Sequence, residues 1–399
     1  MLQVYSILPS SGMVSTKSAV LASTPLFQRH STALPWTDRI KLSYDRARAI
    51  SRLYDLEMND VLTVSEKYWA FQRDPIHLMD GAAGTLLTIH YNLCLGTISM
   101  FPEGKAELVK KLLAFEISGQ YCLTELGHGL DAIHLETTAT LLETGELEIN
   151  TPTEAAAKFM PPTTPSGIPC VAVVFARLIV NGVDKGIKPI LVPLHDGREM
   201  YPGVTSNISP IVLQQDIRGA SIAEGDILGI SIRFAIDLIM GRVSAPASLY
   251  PEDILFQHES SILAELREIV RSAGRAHGRE AIDRLILPRC QELIRAVGDR
   301  LAVEAARQRN VDPLVVDLYI ASVVKEDGAW FSEHGGISQE TQRRMEREAV
   351  EALYPRLRSL LDRLEIAEYV TAPIVSDERW KSSFEARSRT DSAVVEARL

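Results

Sequence analysis

Tyr121-Cys-Leu-Thr-Glu-Leu-Gly-His-Gly129 is where the character of this 399-residue chain changes. Before it, apolar residues recur at helical spacing. After it they alternate, and the chain reads as strands for about seventy residues. Thr124 and Glu125 set a hydroxyl beside a carboxylate. Gly127 and Gly129 bracket His128, a pattern that predicts backbone in unusual φ and room for a flat ligand. A junction of this kind between a helical and a β-rich part suits a cofactor. Read alone, the stretch is also what a glycine-containing turn into a sheet looks like.

Outward from it, the chain continues as Leu135-Glu-Thr-Thr-Ala-Thr140, Asn150-Thr-Pro-Thr153 and Ala157-Lys-Phe-Met-Pro161. Val171-Ala-Val-Val-Phe-Ala-Arg-Leu178 and Pro193-Leu-His-Asp-Gly-Arg-Glu-Met-Tyr-Pro-Gly203 follow. In order and spacing these segments resemble the middle β-domain of the acyl-CoA oxidase and acyl-CoA dehydrogenase superfamily, in the branch common in fungi and bacteria. The resemblance implies an α+β fold in three parts: an N-terminal helical domain, a middle β-domain and a C-terminal helical domain. It also implies FAD as cofactor, an acyl-CoA thioester as substrate, and oxygen or an electron-transfer flavoprotein as acceptor. A homodimer is expected where the bundle is intact enough.

Composition agrees with a large folded protein: 46% hydrophobic, 24% charged, net charge -10. That charge argues against a nucleic-acid or anionic-membrane surface. Cys94, Cys122, Cys170 and Cys290 lie far apart without metal or redox spacing, and read as reduced, buried thiols of an intracellular protein. Gly81 to Met100 holds no Asp, Glu, Lys or Arg, yet His90, Asn92 and three glycines make it a buried helix or helix pair rather than a span.

In order, residues 1–34 read as a flexible leader without a secretory signal. Residues 35–119 read as a helical domain, with Thr37 as an N-cap and helices near 65–72 and 104–117. Residues 120–210 form the β-domain. It has a strand from Ile133 to Leu141, a turn at Glu143-Thr-Gly145 and a hairpin at Asn181-Gly182. A C-terminal helical region covers 211–375, with Pro288 bending one helix, and 376–399 is a tail. Arg343, Arg344, Glu346, Arg347 and Glu348 read as a solvated face.

The resemblance assigns roles residue by residue. Thr124 matches the threonine that contacts the flavin, with Gly127 and Gly129 shaping the surface beside it. Phe159 offers an apolar wall. Pro162 stands where the family has a glycine and has no N–H to donate. Glu224, in Arg218-Gly-Ala-Ser-Ile-Ala-Glu-Gly-Asp226, matches the catalytic base. By its residues alone, that carboxylate before a glycine also reads as a helix cap. His128 reads as a hydrogen-bonded turn histidine, with a catalytic acid as the alternative.

Tyr201-Pro-Gly-Val204 lies only a short run from Glu224, whereas the family places several helices between the two motifs. The chain therefore looks internally shortened, with a junction near Ser209-Pro210-Ile211. The alternative reading is an inactive, shortened relative that binds acyl-CoA or a full-length partner. Ala397-Arg398-Leu399 is similar to the small-basic-Leu peroxisomal signal; mitochondrial or cytoplasmic placement is the alternative.

Overall fold

The structure is a computed structural model that describes residues 16–29, 34–101, 103–129, 131–159, 161–205, 227–273, 280, 282–382 and 385. The chain divides into two compact units. One comprises Met1–Glu224 with Leu364–Leu399, the other Gly225–Arg363.

The first unit opens with α1 (Thr16–Ala22) and α2 (Pro25–Gln28). For residues 16–29 this departs from the reading of a flexible leader; residues 1–15 and 30–33 lie outside the described residues. Ser18, Ala22 and Phe27 are buried, and the Arg46 guanidinium holds α2 by donating to the carbonyls of Leu26, Phe27 and Arg29. Next comes α3 (Trp36–Tyr54), whose Tyr44, Ala47 and Ile50 recur at helical spacing on the buried side. It starts before Thr37, because Pro35 at the N-cap already holds a φ that leads into the helix. Thr37 is therefore not the cap.

After α4 (Met58–Thr63) and α5 (Glu66–Gln72), the uncharged run forms α6 (Gly81–Thr88), a π-turn (Ile89–Leu95) and α7 (Gly96–Ser99). Asp80 caps α6 by accepting from the Ala83 N–H at 2.9 Å and pairs with buried Arg46 at 3.0 Å. The first helical part ends with α8 (Ala106–Leu113). No helix among the described residues is long and apolar enough to cross a membrane.

A five-stranded sheet follows: β1 (Ser118–Cys122), β2 (Thr138–Leu141), β3 (Leu147–Asn150), β4 (Cys170–Val180) and β5 (Val183–His195). β4 is central. β5 runs antiparallel along one edge, joined through Asn181 and Gly182, both at positive φ as the expected hairpin requires. β1 and β2 pair in parallel with successive halves of β4 on its other edge, and β3 pairs antiparallel with β2. The strand expected from Ile133 is shorter than predicted. Ala132–His134 is a single 3-10 turn, tied back by the Asp131 carboxylate on His134 Nδ1 (2.6 Å).

The strongly β-branched run of β4 is buried on both faces, as a central strand must be. Val171 and Val173 join the helical core with Tyr91 and Leu95, while Cys170, Ala172 and Val174 pack with Cys122 and Leu194.

The second unit is helical: α9 (Ile227–Ile239), α10 (Ile254–Ala273), α11 (Cys290–Gln308), α12 (Pro313–Glu326), α13 (Gly328–Glu333), α14 (Gln339–Leu353) and α15 (Leu357–Arg363). Pro288 sits in the 3-10 turn Leu287–Arg289 ahead of α11, the expected bend. The core gathers Ala235, Leu238, Ile262, Leu266, Leu293 and Val297. Arg300 is buried between Glu259 and Glu304, so this charge is paired on both sides. Residues beyond Leu364 group with the first unit, so the expected C-terminal helical region does not extend to 375 as one body.

Candidate functional site

β1 and β2 share one edge of β4, so the chain between them must leave the sheet and come back. Residues 123–137 make that excursion, and they carry the stretch that decides the fold. A carboxylate closes it. Glu125 is 1% exposed and accepts four hydrogen bonds: Glu136 N–H (2.8 Å), Thr137 N–H (3.0 Å), Thr137 Oγ1 (2.6 Å) and Lys158 Nζ (2.9 Å). Burial would push its carboxyl upward, but the Thr137 hydroxyl, the two backbone N–H groups and Lys158 outweigh it and hold the group below the usual carboxylate range. Lys158 is pulled down by burial and held up by Glu125.

A second set of bonds lays the segment 155–159 against the excursion. Leu126 N–H donates to the Ala157 carbonyl (2.9 Å), Gly127 N–H to Ala155 (2.8 Å) and Phe159 N–H to Thr124 (3.0 Å). Lys158 Nζ also donates to the Leu123 carbonyl at 3.2 Å. Thr124 and Phe159 are thereby fixed side by side, both half-buried. The Thr124 hydroxyl makes no hydrogen bond to another described residue. The two residues that looked paired in sequence thus go separate ways: Glu125 turns inward as a staple, while the half-buried Thr124 keeps its hydroxyl unbonded among the described residues.

The glycines act differently from the expectation, since neither Gly127 nor Gly129 takes a left-handed φ. Gly127 is demanded by its own chain, because a Cβ there would lie 2.8 Å from the Ala155 Cβ. Gly129 has open space around it. His128 Nε2 meets Glu136 Oε1 at 2.9 Å, and Thr153 Oγ1 donates to Glu136 Oε2 at 2.8 Å. Glu136, with the other carboxylates nearby, raises the His128 pKa. The hydrogen-bonded turn histidine is what the structure shows.

On the far flank Tyr44 Oη donates to the Pro162 carbonyl at 3.0 Å, and Pro162 itself offers no N–H. Glu224, the junction Ser209-Pro210-Ile211 and the tail Ala397-Arg398-Leu399 lie outside the described residues. Sequence reasoning missed Lys158 and Thr137, the partners of Glu125. The one local hint was a lysine inside the otherwise apolar Ala157-Lys-Phe-Met run. The four cysteines are all free and buried. Among the described residues no group of three or more His, Cys, Asp or Glu side chains could hold a metal ion.

No family profile matches the chain. Among curated proteins, the peroxisomal acyl-coenzyme A oxidase 1 of Arabidopsis thaliana is 30% identical over 276 residues, 65% of this chain and 39% of the relative. The chain therefore spans well under half the length of that relative. Among solved structures, acyl-CoA oxidase 3 from Yarrowia lipolytica superposes with a TM-score of 0.69 at 13% identity, covering 96% of this chain and 89% of that one. Acyl-CoA oxidase-1 from Caenorhabditis elegans, solved in complex with FAD and ATP, gives 0.60 at 13% identity, over 88% of this chain and 86% of that one.

Proposed function

We propose that this chain is a member of the acyl-CoA oxidase and acyl-CoA dehydrogenase superfamily, which it resembles in sequence, that it binds FAD against the excursion after β1, and that it oxidises an acyl-CoA thioester to the trans-2-enoyl-CoA. The observation that carries this reading is the Thr124 hydroxyl. It is rigidly placed by the bonds around Glu125 and Phe159, yet has no partner of its own among the described residues. The oxidase names of the sequence relatives and the FAD complex of a structural neighbour support it.

Bound FAD supplies the acceptor for a hydride leaving the substrate β-carbon. Thr124 would hold the cofactor by its hydroxyl, and Phe159 would give it an apolar wall. Gly129, with open space around it, keeps the adjoining surface low. Glu224 takes the α-proton onto its carboxylate, an assignment that rests on the sequence motif. The α-C–H of a thioester is a weak acid, so hydrogen bonds to the thioester oxygen must stabilise the enolate as it forms. Burial of the base must also raise its basicity. Glu125 cannot serve as that base, since its lone pairs are committed and its pKa is held low. It positions Thr124 instead. Oxygen as acceptor would yield hydrogen peroxide, which suits a peroxisome. The peroxisomal name of the Arabidopsis relative and Ala397-Arg398-Leu399 support that location.

Pro162, lacking the N–H of the family glycine, favours a second reading: a shortened relative that binds acyl-CoA without turning it over. The visible spectrum of purified protein, before and after an acyl-CoA is added without oxygen, separates the two. A flavin band that bleaches on addition, with peroxide on admitting air, is expected. Thr124→Val should weaken FAD binding about tenfold, the loss of one hydrogen bond. Glu224→Gln should keep the band and lose the bleaching. Protein that takes up no flavin when FAD is supplied would overturn the oxidase reading.

A further inference from the structure

The excursion after β1 is closed twice. Its outgoing arm, Glu125 to His128, and its return arm, His134 to Thr137, are joined first by the buried Glu125 carboxylate, which accepts the Glu136 and Thr137 N–H groups. The second closure lies outside the first. Glu136 sends its own carboxylate back across the arms, so that Oε1 meets His128 Nε2 at 2.9 Å and Oε2 accepts from Thr153 Oγ1 at 2.8 Å. One residue thus serves both closures, the inner through its N–H and the outer through its side chain.

The two closures answer differently to protons. The Glu125 carboxyl is held low and stays ionised through neutral pH. The outer closure turns on an imidazole. A protonated ring donates from both nitrogens, whereas a neutral ring donates from one and presents a lone pair at the other. His128 Nδ1 faces Asp131 Oδ2 at 3.8 Å, and Asp131 is held there by its other oxygen on His134 Nδ1, at 2.6 Å. The charged ring therefore lies between two carboxylates. The neutral ring keeps the Glu136 bond but turns a lone pair towards Asp131. From Gly127 to Ala157 the chain carries Asp131, Glu136, Glu143, Glu146, Glu148 and Glu154 and no Lys or Arg. The cations packed against this stretch are committed. Lys158 bonds Glu125 and the Leu123 carbonyl, and Arg177 bonds Asp184 and the carbonyls of Ile133 and Leu135. His128 is thus the group that sets a positive charge between Glu136 and Asp131.

We propose that His128 is a positioning residue: when protonated it clasps the outgoing arm to the return arm, and so steadies Thr124 at the root of the outgoing arm for the cofactor. The clasp stands on the contacts of His128 itself, and its effect on FAD rests on the oxidase reading. The Glu136 hydrogen bond comes first in holding the His128 pKa above 6.5, against a smaller opposing effect of burial, and the charges of Glu136, Glu125 and Asp131 add to it. A group whose pKa is raised on folding lends its stabilisation in full below the unfolded value and loses it as pH rises through the folded one. The clasp is therefore complete below about pH 6.5 and opens on the alkaline side.

Imidazole NMR and amide exchange of the full chain, from about pH 6 to 8.5, test the clasp across the histidine range. His128 should titrate above 6.5, and Glu136→Gln should bring it down. The His128 and His134 amides bond the carbonyls of Glu125 and Asp131. Their protection, corrected for the intrinsic rise of exchange with pH, should fall about threefold over this range, the scale of a partly exposed ion pair, while β4 stays protected. His128→Gln hydrogen-bonds without titrating and should abolish the fall. Titration at or below 6.5, or an equal fall in His128→Gln, would overturn the clasp. FAD affinity, read from quenching of flavin fluorescence, should weaken about threefold between the same limits and stay level in His128→Gln. FAD held equally well at both limits would overturn the positioning of Thr124. A chain that takes up no FAD at either limit would overturn the oxidase reading, while titration and exchange still decide the clasp.

Discussion

Glu125 shows how far one residue's role can lie from its sequence neighbourhood. Next to Thr124 it looked like half of a reactive pair. In the fold it is the staple of the excursion, because its partners Glu136, Thr137 and Lys158 arrive from 11, 12 and 33 positions away. A buried carboxylate–lysine pair is weak evidence of net stabilisation, but breaking it strands a charge. Glu125→Gln should therefore lower stability by roughly 3 kcal/mol in urea unfolding, and adding Lys158→Met should recover a good part of the loss. A loss below about 1 kcal/mol, the range of an exposed pair, would show that the carboxylate does not hold the excursion. The candidate motif could be picked out because hydroxyl, carboxylate and glycines sit within nine residues. The division of labour among them was not, since it depends on which way each side chain turns.

The π-turn Ile89–Leu95 is the element with the clearest chemical consequence. Its His90 is fully buried, donates from Nε2 to the Leu112 carbonyl (2.9 Å) and accepts the Gly119 N–H on Nδ1 (2.8 Å). It thus joins the helical part to β1. Burial, only partly offset by the Leu112 carbonyl, pulls its pKa from 6.5 to about 4. A proton on Nδ1 would also face the Gly119 N–H donor to donor. The unfolded chain takes up this proton near pH 6.5 and the folded chain only near 4. Stability is therefore full above about pH 6.5, falls as pH drops through that window, and levels off below it. The loss attributable to His90 is about 3 kcal/mol. Half-buried His77 and buried His195 shift in the same direction. Urea midpoints measured between pH 7.5 and 4.5 should decline accordingly, and His90→Gln should flatten the decline. An unchanged slope in that variant would place the acid sensitivity elsewhere. An uncharged run interrupted by His90 and Asn92 predicted a buried helix from sequence. The π-turn within it was not legible, since it answers to contacts with Leu112 and Gly119 rather than to local propensity.

Across the whole molecule, the two ends of the described chain meet. Tyr369 is 2% exposed, and its hydroxyl lies 2.9 Å from Ser18 Oγ, which in turn donates to Asp74 Oδ1 at 2.6 Å. Tyr54 bonds the other oxygen of Asp74. The segment after Leu364 is thereby a strap over α1. Tyr369→Ala should remove amide-exchange protection from Thr16–Ala22 while leaving β4 protected; retained protection in α1 would show that the strap is dispensable. Sequence alone determined the alternation of helical and strand periods, the Asn181-Gly182 hairpin, the bend at Pro288 and the family motif around Thr124. Each of these is written in residues close together along the chain, where backbone preference and apolar spacing act directly. Only the tertiary structure decided that β1 and β2 share an edge of β4, that Glu125 turns inward to Lys158, that α1 and α2 are packed rather than loose, and that the segment after Leu364 returns to the first unit. Those outcomes depend on partners distant in sequence, whose meeting is set by the shared core and by the need to pair every buried polar group.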